Sequence, residues 1–153
     1  MMHPRTALKI ALVVVAALIV VLTGYLVLSA MQADAKMSEI DSALGHGPVF
    51  VEFGASWCYW CGLEKPVVGN LSANFSGVTF LDIDSDANAK LADDFYVEGI
   101  PQITIIVRKN ADGSYLYIDP RGRTTTDRFA SRLRGYMEYD ELKPLLEAAI
   151  AAR

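Results

Sequence analysis

Residues 10–28 read IALVVVAALIVVLTGYLVL, and no charged side chain occurs anywhere from 10 to 33. A helix rises about 1.5 Å per residue, so about 20 apolar residues cross a hydrocarbon core about 30 Å thick. A run this long and this apolar predicts one membrane-spanning helix over residues 10–30. A cleaved signal peptide is the competing reading, because Arg5 and Lys9 form a basic flank and Ala33-Asp34-Ala35 supplies a small-residue site. Signal peptides, however, use apolar regions of only about 7–15 residues. In either reading the chain beyond the run is exported.

The flanking charges set the orientation. Arg5 and Lys9 precede the run, while Asp34, Lys36, Glu39 and Asp41 follow it. The positive-inside rule then places residues 1–9 as a cytoplasmic tail and everything after the span outside. Of the 14 Lys and Arg, these two lie before the run, leaving 12 against 18 Asp and Glu, a net charge of −6. That balance argues against nucleic acid as a partner and provides no basic patch for anionic lipid. The membrane itself is expected as a partner only through the N-terminal helix.

Residues 31–37 read as a short polar-to-small linker, followed by a domain over residues 38–153. Ser38-Glu39-Ile40-Asp41 has the form of a helix start, and Gly45 and Gly47 would stop that helix. Val49-Phe50-Val51-Glu52-Phe53 is a short apolar run that predicts a buried strand apart from Glu52. Residues 58–75 predict a helix kinked at Pro66. Residues 78–83 predict a strand, and Asp84 or Ser85 a cap for a helix carrying Leu91, Ala92 and Phe95. Residues 102–107 (QITIIV) are rich in β-branched side chains and predict a central strand. Asn110-Ala111-Asp112-Gly113 marks a turn to a partner strand over residues 114–119. Leu142, Leu145, Leu146, Ala149 and Ile150 recur at helical spacing, with Pro144 expected in the first turn. The order is β-α-β-α-β-β-α after a leading helix, an α/β fold with a mixed central sheet flanked by helices.

The chain holds two cysteines, Cys58 and Cys61. A structural disulfide is the bland reading for an exported protein, but closing so short a loop constrains the unfolded chain little. A zinc site needs about four ligands, and only His3 and His46 could join the pair, so no metal is expected. The redox reading needs a strand feeding a helix whose N-terminus holds the first cysteine, and the pattern predicts that arrangement. There the helix dipole and free N–H groups favour a thiolate on Cys58, and Cys61, one turn along, can attack a mixed disulfide.

Residues 49–61, with Trp57-Cys58-Tyr59-Trp60-Cys61 intact, resemble the thioredoxin active-site strand and loop. Pro66, five residues after Cys61, is similar to that family's kinking proline, and Gly99-Ile100-Pro101 to its cis-proline signature. The resemblance runs from about Met37 to the C-terminus and implies a thioredoxin-like fold after one N-terminal transmembrane helix. It implies Cys58 as nucleophile and Cys61 as resolving thiol, with Trp57, Tyr59, Trp60, Ile100, Pro101 and Gly135 at the substrate groove. Glu52, six residues before Cys58, stands where thioredoxins carry a buried acid; burial would raise its pKa and suit it to proton transfer at Cys61. The implied cofactor is none beyond the Cys58–Cys61 disulfide.

Departures from the pattern matter. Tyr59-Trp60 replaces Gly-Pro between the cysteines, and Phe80 stands where thioredoxin has a lysine near the buried acid, so Glu52 is expected to lack that partner. Gln102 follows the proline in place of threonine. Residues 115–132 exceed a minimal thioredoxin and read as a longer hairpin or inserted strand, more a solvated excursion than a partner surface. The resulting expectation is thiol–disulfide exchange on exported proteins, in the reducing direction, with a membrane electron-donor protein as second partner. The alternatives are a non-catalytic adaptor or chaperone that keeps the fold, and an oxidase or isomerase using the same site.

Overall fold

The computed structural model describes residues 4–153; Met1 to His3, the first part of the expected cytoplasmic tail and the candidate ligand His3, lie outside the described residues. Its longest element corrects the expected boundaries. Helix α1 runs unbroken from Pro4 to Leu44, 41 residues, about 60 Å at 1.5 Å per residue. Residues 31–37 are therefore helix rather than linker, and Ser38 opens nothing. The physical reason is the absence of any Gly or Pro between Tyr25 and Leu44, together with an apolar stripe that begins earlier than Ile40. Ala33, Ile40 and Leu44 are buried with Met37 packed beside them, spacings of four, three and four that keep one helical face on the domain. Before this stripe, residues 10–28 of α1 are apolar and exposed. It is a candidate membrane span.

A turn at Gly45-His46-Gly47 reverses the chain, with Gly47 N–H donating to Ala43 O. Gly47 is required there: a Cβ would run into the Gly77 carbonyl oxygen. Strand β1 (Val49–Gly54) follows, buried along its whole length, Glu52 included. Helix α2 (Tyr59–Asn74) contains Pro66, and β2 (Thr79–Asp84) pairs parallel with β1, Glu52 opposite Asp82. Helix α3 (Ala89–Asp94) has no side-chain cap; Asp84 instead accepts N–H groups of Asp86 and Ala87 in the preceding turn. Strand β3 (Gln102–Lys109) pairs antiparallel with β1, Gln102 opposite Phe53.

The sheet order is β2-β1-β3-β4-β5, with β6 pairing β3 beyond this path. Strands β4 (Tyr115–Ile118) and β5 (Thr124–Thr125) lie in the segment that exceeded the expected pattern, and β6 (Leu133–Arg134) follows it directly. From residue 120 to 130 that segment has no buried residue, yet two arginines tie it to the domain. Arg128 lies over the Phe95 ring and donates to Tyr117 Oη and Asp94 O. Buried Arg132 donates to the carbonyls of Phe129 and Tyr96.

Alternation along β1 builds two cores. Val49, Val51 and Phe53 face α1 and α3, while Phe50 faces α2 and α4 with Ile103, Ile105 and Leu71. Helix α4 (Tyr139–Ala151) covers that second face through Leu142, Leu145, Leu146 and Ala149. Pro144 is its sixth residue, a turn deeper than expected, on the exposed side where water can take the freed carbonyl.

Candidate active site

Strand β1 delivers the chain to the site. After Gly54 the backbone tightens, Cys58 N–H donating to Ala55 O at 3.1 Å. Cys58 is the N-cap of α2 in extended geometry, and its Sγ accepts the N–H of Cys61 at 3.1 Å. The two cysteines are joined as a disulfide with Cα atoms 5.3 Å apart. Cys58 keeps a sliver of solvent exposure, and Cys61 lies deeper. A Cβ on Gly54 would meet Cys61 Sγ at 3.5 Å, so the end of β1 abuts the inner sulfur. When the bond opens, the first turn of a 16-residue helix faces the Cys58 sulfur with unpaired N–H groups, which favour its anion.

The residues assigned to the groove lie at the end of the sheet that carries the disulfide, where β3 begins opposite Phe53. The Ile100–Pro101 peptide is cis. The β1–β3 ladder starts at Gln102, leaving Ile100 outside it. On the other side Gly135, at φ +81°, donates its N–H to Pro101 O at 2.9 Å. Trp57 and Ile100 share an open cavity of ≈ 260 Å³. Trp57, Tyr59 and Trp60 are 69%, 71% and 55% exposed, an apolar rim around one reactive sulfur. Tyr136 joins this rim, its ring 6.1 Å from that of Trp60. Gln102 turns inward, and its Nε2 donates to Phe95 O.

Behind the disulfide is a polar compartment. Glu52, Cys61, Lys65 and Asp82 line a cavity of ≈ 210 Å³. As expected, the Phe80 position gives Glu52 no cation, since that ring packs on Phe50; Lys65 of α2, lining the same cavity, is the positive charge that acts on Glu52. Burial pushes the Glu52 carboxyl up to about 7; the Glu64 and Asp82 charges add to the rise, and Lys65 opposes it.

Glu64 is the residue that sequence reasoning missed. It is 0% exposed, three residues after Cys61. Burial pushes it up to about 7 as well, against the Met137 N–H, which it accepts at 2.9 Å, and against an interaction with Glu52. Its Oε2 has no hydrogen-bond partner at ordinary distance, so the two acids are close neighbours rather than a formed hydrogen bond. A signal was present: Cys61, Glu64 and Leu71 share the buried face of α2, so an acid occupies an otherwise apolar stripe. Two adjacent buried carboxyls cannot both ionise easily, which leaves one able to hold or accept a proton beside Cys61.

Comparison with known proteins agrees with this geometry. The thioredoxin family description matches residues 29–133. Over 72 residues the chain is 38% identical to a thioredoxin of Chlamydia pneumoniae, covering 47% of this chain and 69% of that one. A Callithrix jacchus thioredoxin is 32% identical over 82 residues, 54% of this chain and 77% of that one. Among solved structures, a point mutant of a thioredoxin from Halobacterium salinarum superposes with a TM-score of 0.55 at 27% identity, covering 74% of this chain and 84% of the other. The chain belongs to the thioredoxin family, and Cys58–Cys61 is the disulfide of a thiol–disulfide oxidoreductase.

Proposed function

We propose that the protein is a membrane-tethered reductase of disulfides in exported proteins, with its N-terminus cytoplasmic and its domain outside. The observation that carries the reading is the Cys58–Cys61 disulfide at the N-terminus of α2, with two buried carboxyls behind its inner sulfur. In the reduced form the Cys58 thiolate attacks a substrate disulfide, forming a mixed disulfide and releasing one substrate thiolate. Glu52 then takes the Cys61 proton, with Glu64 modulating its charge. The Cys61 thiolate attacks the Cys58 sulfur, releasing the second substrate thiolate and closing Cys58–Cys61. Trp57, Tyr59, Trp60 and Tyr136 supply the apolar rim against which the substrate segment lies, and Ile100 its backbone neighbour. No cofactor beyond the disulfide is needed; two electrons must come from a membrane electron-donor protein, because exported compartments lack the reductants of the cytosol.

The test is the reduction potential of the pair. A reductase lies nearer about −270 mV than the about −120 mV of a strong oxidant, and a value at the oxidising end overturns the direction. A Cys61→Ser variant is expected to trap exported clients as mixed disulfides through Cys58. Full function in a Cys58→Ser variant would instead establish the adaptor reading.

A further inference from the structure

The sheet determines which end of the domain faces the span. Strand β1 runs from Val49 toward the disulfide, and the turn at residues 45–48 makes α1 double back along it. Asp41, near the C-terminal end of α1, is held by Lys109 Nζ at 2.7 Å and Tyr115 Oη at 2.6 Å. Lys109 ends β3, the strand that starts beside Phe53 at the site, so this tie lies at the end of the sheet away from the cysteines. Followed backward, α1 therefore climbs toward the redox end. Ala33 is buried in the core on the α3 side. One to two turns earlier, Tyr25, Leu28 and Met31 share a cavity of ≈ 490 Å³ with Asp86 and Ala87 of the turn before α3. Asp86 Oδ2 in turn accepts the Trp57 indole N–H at 2.7 Å. The residue beside the nucleophile thus stands level with the last turns of the apolar stretch.

The connection between span and domain is stiff, since α1 is continuous from Pro4 to Leu44 and holds no Gly or Pro after Gly24. The exposed rings on the end facing the span include Trp57, Tyr59 and Trp60, the side-chain types that settle at lipid–water boundaries with one apolar face and one polar tip. Asp84 and Asp86 on the same edge oppose an anionic surface.

We infer that the redox end of the domain is docked on the membrane that α1 enters: Trp57, Tyr59 and Trp60 lie in the interfacial layer of zwitterionic lipid, and Cys58 meets thiols and disulfides presented at that layer. The inference rests on the reading of α1 as a membrane anchor. It restricts substrates to membrane-bound proteins and to segments that reach the bilayer surface, and excludes those that never approach it.

Trp57 and Trp60 are the protein's two tryptophans, so emission excited selectively from tryptophan reports the site alone. The full chain is reconstituted in phosphatidylcholine vesicles, with and without bromine on the upper acyl chain, in one redox state. Brominated lipid is expected to remove most of the tryptophan emission, and aqueous iodide to quench little. A flexible Gly/Ser-rich segment inserted after Ala30 is expected to reverse both results while the protein stays in the vesicles. Tryptophans that ignore brominated lipid and remain open to iodide, in a chain that resists alkaline carbonate extraction, overturn the docking alone. A chain that carbonate strips from the vesicles overturns the anchor and the docking with it.

Discussion

The Met137 N–H donates to Glu64 Oε1 at 2.9 Å, joining α2, one turn below Cys61, to the segment that enters α4. This single bond holds a fully buried carboxyl against a second one, Glu52, and leaves its other oxygen unpaired. The pair has consequences for stability as well as for chemistry.

Both carboxyls are raised from 4.5 to about 7 by burial. The folded state therefore keeps protons that the unfolded chain has already released above about pH 4.5. Stability from this source is fully present below that pH and is lost as pH rises through 7. For one carboxyl the loss is on the order of 3 kcal/mol. Denaturant unfolding at pH 5 and pH 8 should show lower stability at pH 8, and Glu64→Gln should flatten the difference. Stability that is level or rising over this range contradicts the reading.

Glu52→Ala removes the proton acceptor proposed for Cys61 while leaving both sulfurs in place. Turnover of a model disulfide should fall by about 10²-fold, the lower range for loss of general acid–base help. The rate of the first attack by Cys58, followed with a Cys61→Ser background, should change little. A Glu52→Ala protein with unaltered turnover and pH profile assigns Glu52 a purely structural place.

Two glycines predict opposite signs. At Gly47 an added Cβ collides with the Gly77 carbonyl oxygen, whereas at Gly69, on the exposed side of α2, it meets nothing within 4 Å. Gly47→Ala should destabilise by about 1–3 kcal/mol as backbone is forced apart. Gly69→Ala should stabilise by about 0.5–1 kcal/mol through helix propensity. Urea midpoints of the two variants check both.

Arg132 is buried, with its guanidinium bonded to the Phe129 and Tyr96 carbonyls and lying over the Phe129 ring at 3.6 Å. Its ion partner Glu98 is exposed. Arg132→Ala should therefore cost about 1.5–3 kcal/mol, since charged hydrogen bonds are lost and carbonyls are stranded. Glu98→Gln should stay within about 1 kcal/mol, as exposed pairs do. Hydrogen exchange near residues 96–98 and 127–131 should rise in the first variant and not in the second.

What could be read directly from the chain was whatever depends on near neighbours. The β-branched run of β3 and the apolar run of β1 needed no partner to be recognised, and Cys58 to Cys61 is one turn of one helix. The errors arose where a local signal was overruled by a distant contact. Ser38-Glu39 has the form of a helix start, but Ala33 already packs on the domain, so the helix continues through it. Residues 115–132 are polar enough for a loop, yet Arg128 and Arg132 find ring faces and carbonyls on the α3 side.

The long apolar run at one end and the Trp-Cys-x-x-Cys motif before a helix were determined by sequence alone, because helical rise and the reach of two sulfurs depend only on local chain geometry. Tertiary structure decided that Glu64 and Lys65 stand behind the disulfide and that Trp57 faces the level where α1 leaves its apolar stretch. Those placements depend on β1 and α1 running in opposite directions along one sheet, and on Met137 and Asp86 arriving from elements far along the chain. A buried charge or an exposed ring acquires its meaning from whatever packs beside it, and here those neighbours lie dozens of residues away.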